Sequence, residues 1–259
     1  MAERTIGFIG GGRVVRIILG GFKRAGKTFE GCVVSDINED ALRAQQQLFP
    51  EIEVSPNDNS RPASCSTVFL AVHPPVVTNV LREIRPHLQE RATVVSLAPK
   101  LTIAKLVDGL DGFDRVARMI PNAASIANVG YNPIAFSPAL SEEDKATLLS
   151  FLKPLGQCPI VSDDHLEAYA VLTAMGPTYF WFQWLELKDL ALSFGLTEPD
   201  AKAGIMNMVI GAAKTLFESG LAEQSVLDLI PARPLGEDEP SIRAAYESRL
   251  RPLFDKLKG

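Results

Sequence analysis

Three consecutive glycines, Gly10-Gly11-Gly12, follow the apolar run Thr5–Ile9 and precede a helical pattern, and no other stretch constrains this chain as much. Glycine adopts backbone angles that other residues avoid, so glycines at a strand end permit an abrupt turn into a helix. Gly10 and Gly12 occupy the first two positions of a G-x-G-x-x-G pattern, the fingerprint of dinucleotide binding. The first glycine makes the tight turn. The second lets backbone approach a pyrophosphate seated on the helix N-terminus. The third small position holds Val15, a bulkier residue where helix and strand pack together.

The context of the turn predicts its architecture. Apolar runs at Thr5–Ile9, Gly31–Ser35, Thr67–Val72, Thr93–Leu97 and Val116–Ile120 read as strands. Helical patterns separate them at Val14–Arg24, Glu39–Leu48, Pro75–Leu88 and Ile103–Leu110. Strands alternating with helices predict βαβ units and a parallel sheet. Asn38 suits a helix N-cap, and Ser141 with Asp144 three residues on resembles a capping box. Ile134–Phe136 and Cys158–Val161 read as two further strands. Beyond Asp163 strand patterns stop and long helical stretches take over. The expected fold is therefore α/β: a Rossmann-like domain over residues 1–162, followed by an all-α domain over 163–259.

Composition narrows the function classes. The 259 residues carry a formal net charge of −5, which argues against a nucleic-acid binder with a basic face. Cys32, Cys65 and Cys158 are far apart and form no C-x-x-C pair, and only three histidines accompany them. No metal site is expected, and free thiols in a reducing, cytoplasmic setting are the simplest reading. The first residues run into strand with no signal-peptide pattern. Ala168–Leu185 has no charged side chain, but Gly176-Pro177 interrupts it, so a buried helix is expected there and not a membrane span.

Asp36 ends the second expected strand, where an acid hydrogen-bonds the adenosine ribose 2′-OH and favours NADH. Arg13, at the helix start, is placed to meet a phosphate instead, and Asp36 also suits a plain turn in which its carboxylate bonds nearby backbone. NADH against NADPH therefore stays open.

Further stretches complete a recognisable set. Ile6–Gly12 reads IGFIGGG; Ala71-Val72-His73-Pro74 is similar to an "AVKP" stretch; Ser96-Leu97-Ala98-Pro99-Lys100 is similar to "S-x-A-A-G". Arg118-Met119-Ile120-Pro121-Asn122 is similar to "R-x-M-P-N", and Thr173-Ala174-Met175-Gly176-Pro177-Thr178-Tyr179 to "S-G-S-G-P-A-Y". In order and spacing this set resembles the pyrroline-5-carboxylate reductase family. The resemblance implies reduction of a cyclic imine by NAD(P)H, as in proline biosynthesis, and a small-molecule substrate. It also implies a homodimer built from the C-terminal helices, with neither nucleic acid nor membrane as partner.

The residues expected at the dinucleotide are Gly10, Gly11, Gly12, Arg13, Val14, Ser35, Asp36, Ala71, Val72, His73, Pro74, Ser96 and Ala98. The resemblance places Asn122 beside the nicotinamide, and Asn122, Asp163, Gly176 and Pro177 at the substrate, with Thr173 as the catalytic hydrogen-bond donor; Arg233, outside the family pattern, suits an anionic group of the substrate by its bidentate geometry. Each polar candidate has a plainer role open to it. His73 suits a solvated loop, Thr173 a bond to its own helix backbone, Asp163 and Asp164 a helix N-terminus, and Arg233 a surface ion pair. The family's "S-P-G-G-T-T" loop, which cradles the substrate carboxylate, has no match: Ile230–Glu237 reads IPARPLGE. Pyrroline-5-carboxylate is therefore expected to be a poor substrate. Another imine or carbonyl compound, a deazaflavin-linked reduction, or a dinucleotide sensor without catalysis are the alternatives.

Overall fold

The computed structural model describes residues 5–258, which form two compact units. The first runs through Ala174 and regains the chain from Phe254; the second is Met175–Leu253.

The first unit begins β1 (Ile6–Ile9), α1 (Arg13–Arg24), β2 (Cys32–Asp36), α2 (Glu39–Leu48), β3 (Glu53–Pro56), α3 (Ser60–Ala63) and β4 (Thr67–Leu70). It continues with α4 (Pro74–Ile84), β5 (Thr93–Ser96), α5 (Ile103–Gly109), β6 (Val116–Met119), β7 (Gly130–Tyr131) and β8 (Ile134–Phe136). Then follow α6 (Glu142–Leu152), β9 (Gly156–Gln157) and α7 (Leu166–Tyr169). Seven strands form one sheet in the order β3-β2-β1-β4-β5-β6-β8, parallel throughout except for β8, which runs antiparallel to β6. This is the expected Rossmann-like sheet.

Residues alternate across the sheet, so adjacent positions feed opposite faces. Phe8 packs with Val15, Ile18, Leu19 and Phe22 of α1 on one face. Ile9 packs with Val68, Val77 and Leu81 on the other. Val15, the bulky third fingerprint residue, is fully buried in the first cluster. Both caps form as expected: Asn38 accepts from the Asp40 and Ala41 amides, and Ser141 with Asp144 closes a capping box.

Three local expectations need correction. The patterns give no hint of β3 or α3, because both are short and proline-containing. Yet α3 lies so close to β1 that a Cβ on Gly7 would sit 2.0 Å from the Pro62 carbonyl oxygen. Cys158–Val161 is not a continuous strand: only Gly156–Gln157 pairs with β7, and Ile160 makes an isolated bridge to Ile134. Pro159, which has no amide to donate, breaks the ladder. The structural division also falls after Ala174 rather than near Ser162. Asp163 and Glu167 hold residues 163–174 to the first unit through ion pairs with Arg118 in β6.

The second unit holds α8 (Pro177–Ser193), α9 (Glu198–Glu218), α10 (Glu223–Leu227) and most of α11 (Glu239–Lys258). The apolar stretch Ala168–Leu185 is not one helix. A π-helical turn at Ala170–Ala174 and the Gly176-Pro177 start of α8 divide it. Among the described residues no helix is long and apolar enough to cross a membrane.

Candidate active site

The parallel strands β1, β2, β4 and β5 all end on the same edge of the sheet, and the order reverses between β1 and β4. Ligands of open α/β sheets bind at such a switch point. The glycine turn lies there. Gly10 takes φ +98°, its amide donates to the Ser35 carbonyl at 2.8 Å, and a Cβ would stand 2.7 Å from the Ala71 carbonyl oxygen. Only glycine fits that position. Gly11 is buried, and its amide donates to Asp36 Oδ2 at 2.7 Å. Gly12 differs from both: it is exposed, its backbone is extended, and a Cβ there would project into open space. A glycine without a packing reason at a helix start leaves room for a ligand's approach to backbone. Behind it, α1 opens with no side-chain cap and no acid in its first turn, so its positive end is uncompensated. Arg13 is exposed and Val14 half-buried beside it. These residues fit a dinucleotide pyrophosphate.

Asp36 has both carboxylate oxygens engaged. Oδ2 accepts from Gly11 and Oδ1 accepts from the Asn38 amide at 2.8 Å. The turn-forming role is thus realised, and the same carboxylate also ties β2 to the glycine turn. Ile37, next to it, is 82% exposed. Buried Ser35 donates its hydroxyl to Asn59 at 2.6 Å.

Two more loops share the edge. Ala71 donates its amide to Ile9 at 2.8 Å, which fixes the loop after β4 against the glycine turn. Ala71 and Val72 are half-buried. His73 is exposed and caps α4 through backbone only, with Pro74 as the first helical residue. After β5, buried Ser96 accepts the Ala98 amide at 3.3 Å.

Asn122 follows β6 and is nearly buried. Its amide nitrogen donates to the Thr173 carbonyl at 2.6 Å, and its oxygen accepts from Ala124 at 2.8 Å. Asn122 and Thr173, distant in sequence, are brought together. The π-helical turn that carries Thr173 gives up regular helical bonding, and Asn122 satisfies the freed carbonyl. The Thr173 hydroxyl donates to the Tyr169 carbonyl at 2.8 Å, so its proton is already committed. That bond is the plainer of the two roles open to Thr173, and it leaves lone pairs on Oγ1.

Asp163 also differs from expectation. Oδ1 pairs with Arg118 at 2.6 Å and Oδ2 accepts from the Ile103 amide at 3.0 Å, so the carboxylate is consumed inside the fold. Asp164 bonds Ser162, which holds its carboxyl below the usual range. Gly176 and Pro177 belong to the second unit, at the start of α8. Arg233 is there too, donating to the Leu227 carbonyl at 2.8 Å beside Asp228. That exposed local pairing is the plainer of its two roles.

Some important residues escape the sequence patterns. Arg118 is 1% exposed and pairs with both Asp163 and Glu167; Glu167 in turn accepts the Lys100 amide at 3.1 Å. One buried guanidinium therefore ties β6, the loop after β5 and the segment leading to Thr173. The available signal is a lone charge in the apolar strand VARM. Gly20 and Gly21 let α1 meet the 123–127 turn: a Cβ on Gly21 would stand 2.3 Å from the Ser125 carbonyl oxygen. Gln45 of α2, 4% exposed, donates to the Gly11 and Gly12 carbonyls at 2.7 and 3.0 Å. Among the described residues no group of three His, Cys, Asp or Glu is placed to hold a metal.

Comparison with known proteins agrees with this geometry. Residues 5–100 match the family model described as "NADP oxidoreductase coenzyme F420-dependent". The pyrroline-5-carboxylate reductase of Escherichia coli is 25% identical over 250 residues, covering 96% of this chain and 92% of that protein. A pyrroline-5-carboxylate reductase structure from Coxiella burnetii is 26% identical, with TM-score 0.71 and 98% and 94% coverage. The NADP-bound pyrroline carboxylate reductase of Plasmodium falciparum shares the fold at TM-score 0.83 and 18% identity, covering 100% of this chain and 98% of that one. The resemblance to pyrroline-5-carboxylate reductases thus extends over nearly the whole chain, and the chain is an NAD(P)-dependent oxidoreductase.

Proposed function

We propose that this oxidoreductase reduces the C=N bond of a pyrroline-type cyclic imine. The observation that carries the reading is the glycine turn at the switch point, with Gly12 open to a ligand, in a chain similar almost end to end to pyrroline-5-carboxylate reductases. When bound, the nicotinamide supplies hydride; the protein orients the reactants and excludes water. Gly12 and the first turn of α1 hold the pyrophosphate. Asp36, at the end of β2, is the residue proposed to face the adenosine ribose, and a carboxylate there disfavours a 2′-phosphate, so the reading favours NADH as donor.

A protonated cyclic imine carries an N–H and is already electrophilic. Thr173 Oγ1, its own proton given to Tyr169, accepts from that N–H and sets the ring's orientation. Asn122 fixes the Thr173 backbone. No strong acid is required, because hydride addition to an iminium leaves a neutral amine.

A homodimer through the second unit belongs to the same reading. Phe180, Trp181, Phe182, Leu185, Met206 and Ile210 are exposed there, and large apolar patches mark interfaces. The segment Ile230–Glu237 lacks the hydroxyl-rich cradle for a ring carboxylate, so pyrroline-5-carboxylate is a poor substrate compared with imines of other substitution. The test is NADH and NADPH oxidation against 1-pyrroline, pyrroline-5-carboxylate, a six-membered cyclic imine and simple ketones. Turnover of a cyclic imine supports the reading. Dinucleotide binding without turnover of any of them overturns it in favour of a sensor. Efficient reduction of pyrroline-5-carboxylate removes the argument from the Ile230–Glu237 segment and leaves the reductase intact.

A further inference from the structure

Gln45 lies on α2, outside the strands and loops of the site, yet its side chain reaches the glycine turn. Nε2 donates to the carbonyls of both Gly11 and Gly12, at 2.7 and 3.0 Å. The side chain is 96% buried, and its Oε1 has no hydrogen-bond partner. A buried polar atom without a partner costs free energy, so the two bonds on the other side of the amide hold the group where packing alone would not. Asp36 grips the same turn from its amide side at Gly11. Between them the peptide groups of Gly11 and Gly12 lose their freedom to rotate. Both carbonyl oxygens are bonded to the buried Gln45 amide, and the Gly12 oxygen also accepts the Arg16 amide as α1 begins.

We infer that Gln45 is a positioning residue for dinucleotide binding: it holds the Gly11 carbonyl and, together with the Arg16 amide at 3.3 Å, the Gly12 carbonyl that opens α1, so that the approaching anion meets amides and not oxygens. The physical reason is that glycine peptides flip readily. The Gly11 carbonyl, swung toward the ligand, would set a partial negative charge against the phosphates. Preorganising the turn moves the ordering cost out of the binding step. The inference rests on the reading that a dinucleotide binds at this turn.

The test compares NADH and NADPH affinities, by fluorescence titration, for the unmodified protein, Gln45→Glu and Gln45→Met between about pH 8 and pH 6. Gln45→Glu keeps the shape but sets a buried carboxylate against two carbonyls at high pH. Burial and those carbonyls raise the carboxyl's pKa, so on acidification it gains a proton and donates again. The expected result is a Kd for Gln45→Glu raised at least about tenfold at pH 8 and recovering toward the unmodified value as pH falls. Gln45→Met, of similar volume and with no donor, should lose about tenfold at every pH. In both variants kcat at saturating cofactor should stay within about twofold, because the reacting atoms are untouched.

A merely structural role would lower Tm and give no acid recovery of Kd. If Gln45→Glu does not fold at pH 8, the loss in Gln45→Met with kcat preserved decides the matter. Unchanged Kd in both variants, or loss in Gln45→Glu without acid recovery, overturns the inference. If the unmodified protein binds neither dinucleotide, it is the proposed function that fails.

Discussion

Two helices of this chain show how differently its halves meet solvent. In α1 the apolar residues Val15, Ile18, Leu19 and Phe22 are all buried, with arginines and lysines on the outer side. In α8 no residue is buried, and Phe180, Trp181, Phe182 and Leu185 are exposed. The first unit closes its own core on both faces of a sheet. The second is a set of helices around open apolar grooves, one of about 580 Å³ lined by Trp181, Trp184, Leu185, Met206 and Ile210. A helix apolar on all sides needs cover on all sides. The first unit thus covers its own apolar side chains, whereas the second leaves large ones exposed.

The largest effect is expected where that contrast is sharpest. Placing charge on the open face with Trp181→Glu and Met206→Glu should abolish the dimer, giving a monomer mass by light scattering and loss of activity. Native mass and unchanged activity would show that the face needs no partner copy. In the first unit the most damaging single change is Arg118→Met, which leaves buried Glu167 and half-buried Asp163 without their cation. Denaturant unfolding should show a loss of about 3–5 kcal/mol. A loss below about 1 kcal/mol would mean that the network is open to water.

The glycine turn separates packing from binding. Gly12→Val meets nothing in the fold, so Tm should hold while dinucleotide affinity falls about a hundredfold, or roughly 2.7 kcal/mol. Gly10→Ala should instead destabilise the fold itself, because φ is +98° and Ala71 is in the way. Smaller still, Ser141→Ala should cost about 1 kcal/mol through the lost cap of α6.

Its partner Asp144 has a carboxyl held below the usual range, first by the Arg115 hydrogen bond and then by Ser141. The ionised form is favoured on folding, so its stabilisation is present above the ordinary carboxylate pKa and is lost as pH falls through the lower folded value. The stability gap between the unmodified protein and Asp144→Asn should accordingly shrink below about pH 4. Urea unfolding at a series of pH values reads this directly.

The smallest effect is chemical. Burial pushes the Cys32 thiol up to about 12 and Cys158 up to about 11. Native protein at pH 8 should resist iodoacetamide at Cys32 until it unfolds globally. Rapid labelling of Cys32 in native protein would show that the first unit opens locally.

What could be read in advance follows from the range of the interactions. Local signals such as the glycine turn, the alternating apolar runs, the Asn38 cap and the Ser141–Asp144 box all lie within a few residues and formed as read. The site polar groups did not carry their roles in the sequence. Thr173, Asp163 and Arg233 each have two open roles, and a neighbour bonds each: Tyr169, Arg118 and Leu227 with Asp228. A carboxylate's availability depends on who else bonds it, and its partner Arg118 is 45 residues away.

By itself, then, the sequence determined the Rossmann-like fold, the place of the glycine turn and the change to helices after Asp163, because hydrophobic period and glycine geometry are properties of short stretches. Only the tertiary structure decided that Asp36 clasps Gly11, that Gln45 holds the turn from beneath, that Arg118 keeps residues 163–174 with the first unit, and that α8 leaves its aromatic side chains uncovered. Those depend on which distant groups meet when the sheet is packed, and the burial that makes each pairing strong does not exist until it is.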